Sequence, residues 1–248
     1  MSGHSHWATI KRKKGAADAK KGQAFSKCAR MLMLAARKGT DPGMNLALRY
    51  ALDEARAVNM PKDSIDRAVK KGSGELEGVQ LVEITYEGYG PGGVAILLDV
   101  VTDNRNRTSS EISKIFERHN GRMGPPNCVA YMFTQKGIIT VTGFKDEEKL
   151  MDIALSAGAD DLAPTEDGFE VIVPPEAYEV VKKALADAKI PIARSEVTRR
   201  PANFIPLGES DARKVLNLMD SIEEHDDVNK VYSNFDIPAE IIEKLQAE

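Results

Sequence analysis

KGIITVTGFKDEEKLMDIALSAGADDLAPTEDGFEVIVPPEAYEVVKKALADAKIPIARSEVT, residues 136–198 of a 248-residue chain, decides the fold. It opens on an alternating, β-branched run at 137–142 and turns helical at 147–157. Two strand-like runs, 160–163 and 169–174, follow without a helix between them. A second helical stretch, 176–188, leads to a last strand at 192–198. Strand, helix, strand, strand, helix, strand is the order of the split-βαβ, ferredoxin-like unit, complete here within about 65 residues.

Working outward, the flanking segments look like an interrupted second unit. Residues 81–87 and 94–101 read as strands around the glycine-rich turn 88–93. Thr108 and Glu111 form a Thr-x-x-Glu capping box for a helix ending near His119. Residues 129–134 read as a strand. This group has one helix; a helix at 211–223 and a strand at 228–234 would complete it. The expectation is therefore an inserted domain, 136–200, within a discontinuous α/β domain made of 79–135 and 201–240. Pairing of strand 228–234 decides between this and two serial domains.

Further out, residues 1–78 read as a basic helical domain with a mobile arm at its start. Helices are expected at 23–38, 45–59 and 61–71, with Pro61 suited to a first helical position and Gly72 just past an end. In the first of these, Phe25, Cys28, Ala29, Leu32, Ala35 and Ala36 fill an arc of roughly 120°, at about 100° per residue. Lys27, Arg30, Arg37 and Lys38 cluster nearly opposite. The class is α+β and multi-domain: an N-terminal helical domain followed by two ferredoxin-like-type α/β domains, one inserted in the other.

Charge is divided as sharply as structure. Residues 1–72 hold sixteen basic and six acidic side chains, a formal +10; the other 176 residues hold eighteen and thirty-two, a formal −14. A basic domain beside an acidic body points to a polyanion partner, most often nucleic acid. The competing reading is a solvated, Lys-rich face kept for solubility. The candidate contacts are Lys11, Arg12, Lys13, Lys14, Lys20, Lys21, Lys27, Arg30, Arg37 and Lys38. His6 and Trp7 could give the arm a stacking head for a base, although Trp7 serves equally as an apolar anchor.

Other classes of function find little support. No apolar run reaches the roughly 18 residues of a membrane span, and residues 1–7 lead into charge rather than a signal-peptide core. Cys28 and Cys128 lie in different expected domains, which suggests a reducing cytoplasm rather than a disulfide framework. The glycine-rich turn lacks the Lys-Ser/Thr ending of a phosphate loop and leads into a strand, so it reads as a hairpin. No Cys-x-x-Cys or His-x-x-x-His spacing suggests a metal. Neighbouring Lys27 and Arg30 could activate Cys28, but its place on the apolar stripe favours a core thiol. Asp160-Asp161 and Asp226-Asp227 read as solvated turns. Nothing implies a catalytic set, a cofactor or a small-molecule substrate.

The segment Asp103-Asn104-Arg105-Asn106-Arg107 stands open between two readings: Asp and Asn shape a turn, or Arg105 and Arg107 form a fork for phosphate. An RNA-recognition sheet is excluded, because residues 136–142 lack aromatics. A groove-reading helix is disfavoured, because Asp63 and Asp66 stand in the first turn of the third helix.

Four motifs together resemble the YebC family: residues 1–14, ending Lys11-Arg12-Lys13-Lys14; Tyr86-Glu87-Gly88-Tyr89-Gly90-Pro91-Gly92-Gly93; Asp103-Asn104-Arg105-Asn106-Arg107-Thr108; and Val129-Ala130-Tyr131-Met132-Phe133. The resemblance runs from Ser2 to about Ile237. It implies three domains and a cytoplasmic, DNA-binding transcriptional regulator without catalytic residues or cofactor. It also implies an alternative, a ribosome-associated translation factor on ribosomal or transfer RNA, acting at proline-rich stretches. That alternative follows from a likeness to the mitochondrial translational activator for cytochrome oxidase subunit one. The sequence departs from the family at Gly124-Pro125-Pro126-Asn127, where two prolines stiffen the loop.

Overall fold

The structure, a computed structural model, describes residues 17–78, 80–165 and 167–247, without the side chains of 17–21, 239, 243, 246 and 247. His6, Trp7 and Lys11 to Lys14 therefore lie outside the described residues, as do the side chains of Lys20 and Lys21.

Helices α1 (Ala17–Ala36), α2 (Leu46–Ala57) and α3 (Lys62–Ser73) form the N-terminal domain. Their shared core includes Cys28, Leu32, Ala36, Leu48, Ala55, Ile65 and Ala68, the stripe expected from helical periodicity. The Asn45 side chain accepts from the Leu48 N–H at the start of α2 and donates to the carbonyls of Ala35 and Gly39. One amide thus closes the turn between two helices. The third helix runs past Gly72 and ends on Gly74, whose left-handed φ of 86° suits glycine.

Gly72 instead permits a close helix crossing, since a Cβ there would collide with the carbonyl oxygen of Met33 on α1. The substitution Gly72→Ala gains about 1 kcal/mol of helix propensity but drives a methyl into backbone. The expected net loss is about 1–3 kcal/mol, measured by urea unfolding of the full chain.

The α/β body starts with a hairpin. Strands β1 (Val82–Tyr89) and β2 (Ala95–Thr102) pair antiparallel from Val82↔Thr102 to Tyr89↔Ala95, joined by a 3-10 turn at Pro91–Gly93. Next come α4 (Arg105–Arg118) and the short β3 (Arg122–Met123). Further along the chain, α7 (Glu209–Glu223) leads into β9 (Val228–Ser233). This last strand pairs with β2, Ile96 opposite Ser233, giving the sheet order β3-β1-β2-β9. Ile96, Leu98 and Val100 of β2 pack against Ile112 and Phe116 of α4 and Val215, Leu218 and Ile222 of α7. Ala95 and Leu97 point the other way, onto Val129, Phe133 and Tyr232. Burial on both faces explains why β2 reads as an unbroken apolar run.

The second sheet comprises β4 (Phe133–Thr142), β5 (Asp161–Thr165), β6 (Gly168–Val173) and β7 (Ile192–Pro201). Its order β5-β6-β4-β7 is second, third, first, fourth in the chain, the split-βαβ arrangement. Helices α5 (Glu147–Ser156) and α6 (Tyr178–Asp187) supply Leu150, Ala154, Val181 and Leu185 to its core. A parallel pair, β8 (Ile205–Pro206) with β10 (Phe235–Asp236), and α8 (Ala239–Ala247) close the first sheet's core.

Two elements differ from the sequence reading. Residues 129–134 are not a separate strand: a 3-10 turn, Ala130–Met132, feeds directly into β4. That strand is continuous through polar Gln135 and Lys136, because β7 pairs with its whole length, from Phe133↔Pro201 to Val141↔Ile192. The cap of α4 is Asn104, which accepts from the Arg107 N–H, rather than Thr108, which lies inside the helix. On the pairing of β9 with β2 and the two separate cores, we propose that 136–200 is a unit inserted between 79–135 and 201–240. Its boundaries fall within the paired strands β4 and β7.

Candidate nucleic-acid interface

Helix α1 carries Lys27 and Arg30 where periodicity places them, opposite the helical core, while Arg37 and Lys38 fall in the turn just past its end at Ala36; a second domain covers part of that face. Lys27 Nζ donates to the Glu223 carbonyl at 2.6 Å. Gln23 Nε2 donates to the carbonyl of Glu224, and an Arg30 NH donates to that of Asp226. These acceptors end or follow α7, where carbonyls lack helical partners and the helix dipole is negative. Arg37 donates to the Leu81 carbonyl at 2.6 Å, and Lys38 stands exposed. Three further contacts hold the domain to the body: Lys230 with Glu54 at 2.8 Å, Arg49 with Glu179 at 3.7 Å, and Tyr50 edge-on to Tyr178 with centroids 6.1 Å apart.

Asp227 is the hub of this contact. Its carboxylate is 4% exposed. Oδ2 accepts from Thr108 Oγ1 at 2.7 Å, an Arg107 NH at 2.9 Å and Thr102 Oγ1 at 3.0 Å. Oδ1 faces the Arg30 guanidinium at 3.3 Å. Burial pushes the carboxyl up, but these hydrogen bonds and the Arg30 charge outweigh burial and hold it below the ordinary aspartate value. The reading of Asp226-Asp227 as a solvated turn is thus corrected for Asp227. Its partners come from β2, α4 and α1, too far along the chain for a local pattern to show.

The two arginines of the Asp103–Arg107 segment part company. Arg107 bridges Asp227, Asp103 at 2.9 Å and Glu111 at 3.9 Å. Its pKa is raised by the Asp227 hydrogen bond first and the Asp103 bond next. Arg105 is exposed. His225 links the same cluster, accepting from the Asp227 N–H on Nδ1 and meeting Glu111 through Nε2 at 3.0 Å. With Nδ1 accepting, Nε2 is the nitrogen that carries the proton to Glu111.

Between α1, α4 and the 224–227 turn lies a cleft of about 740 Å³. Lys114 and Arg118 line it, and sequence reasoning missed both. They stand seven and eleven residues after Arg107, within about 20° of one helical face, a spacing that could have found them. Four cations in the lining, Arg30, Arg107, Lys114 and Arg118, face five carboxylates. The cleft is charge-balanced, so the field of a polyanion site has to come from elsewhere.

Cys28 belongs to the core: burial first, and the Glu54 charge second, push its thiol up to about 11. Among the described residues, no group of three or more His, Cys, Asp and Glu side chains is placed to hold a metal, and no helix is long and apolar enough to cross a membrane.

Comparison with known proteins finds two family models. The TACO1/YebC protein N-terminal domain matches residues 5–75, and the TACO1/YebC second and third domain matches residues 81–235. The chain belongs to the TACO1/YebC family. A relative from Dictyoglomus turgidum is 50% identical over 248 residues, covering 99% of this chain and all of the relative. One from Geobacter sulfurreducens is 51% identical over 246 residues, with 99% and 100% covered. Both are named probable transcriptional regulatory proteins. Within the TACO1/YebC fold, the crystal structure of a conserved hypothetical protein from Aquifex aeolicus superposes with a TM-score of 0.83 at 43% identity. It covers 96% of this chain and 99% of that one.

Proposed function

We propose that this chain is a non-enzymatic, cytoplasmic regulator of gene expression that binds nucleic acid through its basic helical domain, and that its partner is DNA. The carrying observation is the charge division, +10 over residues 1–72 against −14 over the rest. The names of its relatives, probable transcriptional regulatory proteins, support the same reading.

The proposed grip is on the phosphate backbone. Lys11, Arg12, Lys13, Lys14, Lys20, Lys21 and Lys38 make first contact. Lys27 and Arg30 already donate to carbonyls at and after the end of α7, so their use on phosphate requires the helical domain to undock there, and Arg37 would have to release the Leu81 carbonyl. Arg105 is the exposed arginine of its segment and a secondary contact, while Arg107 serves Asp227. Exposed Asp63 in the first turn of α3 and exposed Asp66 just after it speak against base-edge reading in a groove. That observation favours a second reading, binding of ribosomal or transfer RNA on the ribosome.

Neutralising Lys11, Arg12, Lys13 and Lys14 together should weaken binding to every sequence. The slope of log affinity on log salt should fall by about four at most. An unchanged slope, read by fluorescence anisotropy across a salt series, would remove the arm from the interface. Crosslinking in cells and sequencing the attached nucleic acid separates the two partners. Discrete promoter DNA supports the transcriptional reading, and dominant ribosomal RNA replaces it with the translational one.

A further inference from the structure

Tyr131 is 74% exposed, yet the backbone around it is pinned on every side. It is the middle residue of the 3-10 turn Ala130–Met132. The N–H groups of Asn127, Val129 and Ala130 donate to the Glu87 carboxylate at 2.6, 2.7 and 2.8 Å. The Tyr89 hydroxyl donates to the Cys128 carbonyl at 2.9 Å. Met132 donates to the Val129 carbonyl and receives the Ala202 N–H, each at 2.9 Å. Val129 and Phe133 are buried on either side of the turn. An aromatic ring is thus held out in water on a rigid mount, and the entropy of ordering it is already spent.

The segment that carries the mount differs in charge from the rest of the body. No Asp or Glu occurs between Glu117 and Asp146, although the chain beyond residue 72 averages nearly three acids in every sixteen residues. Glu87, the one carboxylate beneath the loop, is 5% exposed and fully engaged by three N–H donors. Arg122 lies over the Tyr89 ring, 5.9 Å from its centroid. Arg200 is the register partner of Thr134, at the same end of the β4–β7 ladder.

We propose that Tyr131 is a stacking platform for an unpaired base of single-stranded nucleic acid, with Arg122, which lies over the Tyr89 ring, for a nearby phosphate. A rigid, exposed aromatic on a segment without acidic side chains of its own is what unpaired bases recognise. A duplex keeps its bases stacked inside and has nothing to offer the ring. The platform sits on the α/β body rather than in the helical domain, so it would bind a strand at a second point.

The test measures binding of the full chain to a labelled 12-nucleotide oligouridine and to a 12-base-pair duplex. Tyr131→Ala should weaken the single strand about 10-fold and leave the duplex unchanged, with an unaltered urea midpoint. Tyr131→Phe keeps the ring and should bind as the parent does. Arg122→Ala should reduce the single-strand salt slope by about one. Unchanged single-strand affinity in Tyr131→Ala overturns the proposal, and so does an equal loss on strand and duplex. A parent chain with no affinity for the strand overturns it too, as does a Tyr131→Ala chain that loses only a protein partner. If neutralising the arm abolishes binding while Tyr131→Ala is silent, only the platform falls and the phosphate grip stands.

Discussion

Asp227→Ala should cost about 3–5 kcal/mol of unfolding free energy. The cost comes from what remains. Arg107 and Arg30 lose a shared carboxylate, and the buried Thr102 and Thr108 hydroxyls lose a charged acceptor and keep as acceptors only each other and the Asn104 carbonyl. Three segments converge on this one group: the end of β2, the first turn of α4 and the exposed flank of α1. Its loss should loosen the helical domain from the body as well as lower global stability. Asp227→Asn keeps the shape and one acceptor oxygen, and its loss should be smaller. The pH dependence has a defined sign. The carboxyl is held below its ordinary value in the folded chain, so the stability it supplies is fully present above the unfolded value of about 3.9. It is lost as pH falls through the lower folded value. Urea unfolding of the parent and Asp227→Asn should therefore differ at pH 7 and converge in acid. A constant gap across that range would mean that Asp227 charge is not what stabilises the hub.

Which parts of this are legible in sequence follows from the range of the forces. Side chains 137–142 and 169–174 announce their strands because alternation is a property of neighbours. The split-βαβ order then follows from six such local readings. Cys28 declares itself as core by its place on the α1 stripe. Thr108 misleads because its hydroxyl suits a cap; in the fold it serves a carboxylate 119 residues away. Gln135 and Lys136 hide the continuity of β4, which is imposed by β7 across the ladder. Periodicity places Lys27 and Arg30 correctly on the helix, but the carbonyls that bind them end or follow α7, nearly 200 residues on. Local pattern names what a side chain can do, and only tertiary contact says which capacity is used.

Glu87 presents that same division in one residue, and its substitution should have the second large effect. In the sequence it is an acid inside a glycine- and tyrosine-rich turn motif. In the fold it is a buried acceptor for three N–H groups of the Pro-Pro loop. Burial pushes its carboxyl up, and the bonds from Val129, Asn127 and Ala130 outweigh that and bring it below the ordinary glutamate value. Glu87→Ala orphans those donors, with an expected loss of about 3 kcal/mol. The loss should be local before it is global. Val129 and Ala130 amides should exchange with solvent faster, while Ile96 and Leu98 in β2 keep their protection. The neighbouring Gly88 leaves no room for repair by repacking, since a Cβ there would meet the Arg122 carbonyl at 2.6 Å and the Phe116 ring at 2.7 Å. Glu87→Gln retains a single acceptor oxygen and turns an N–H toward donors, so it should protect the loop only in part. Uniformly faster exchange across β2 as well would make Glu87 a general stabiliser of the sheet. Exchange confined to residues 127–131 would make it the clamp that holds Tyr131 in place.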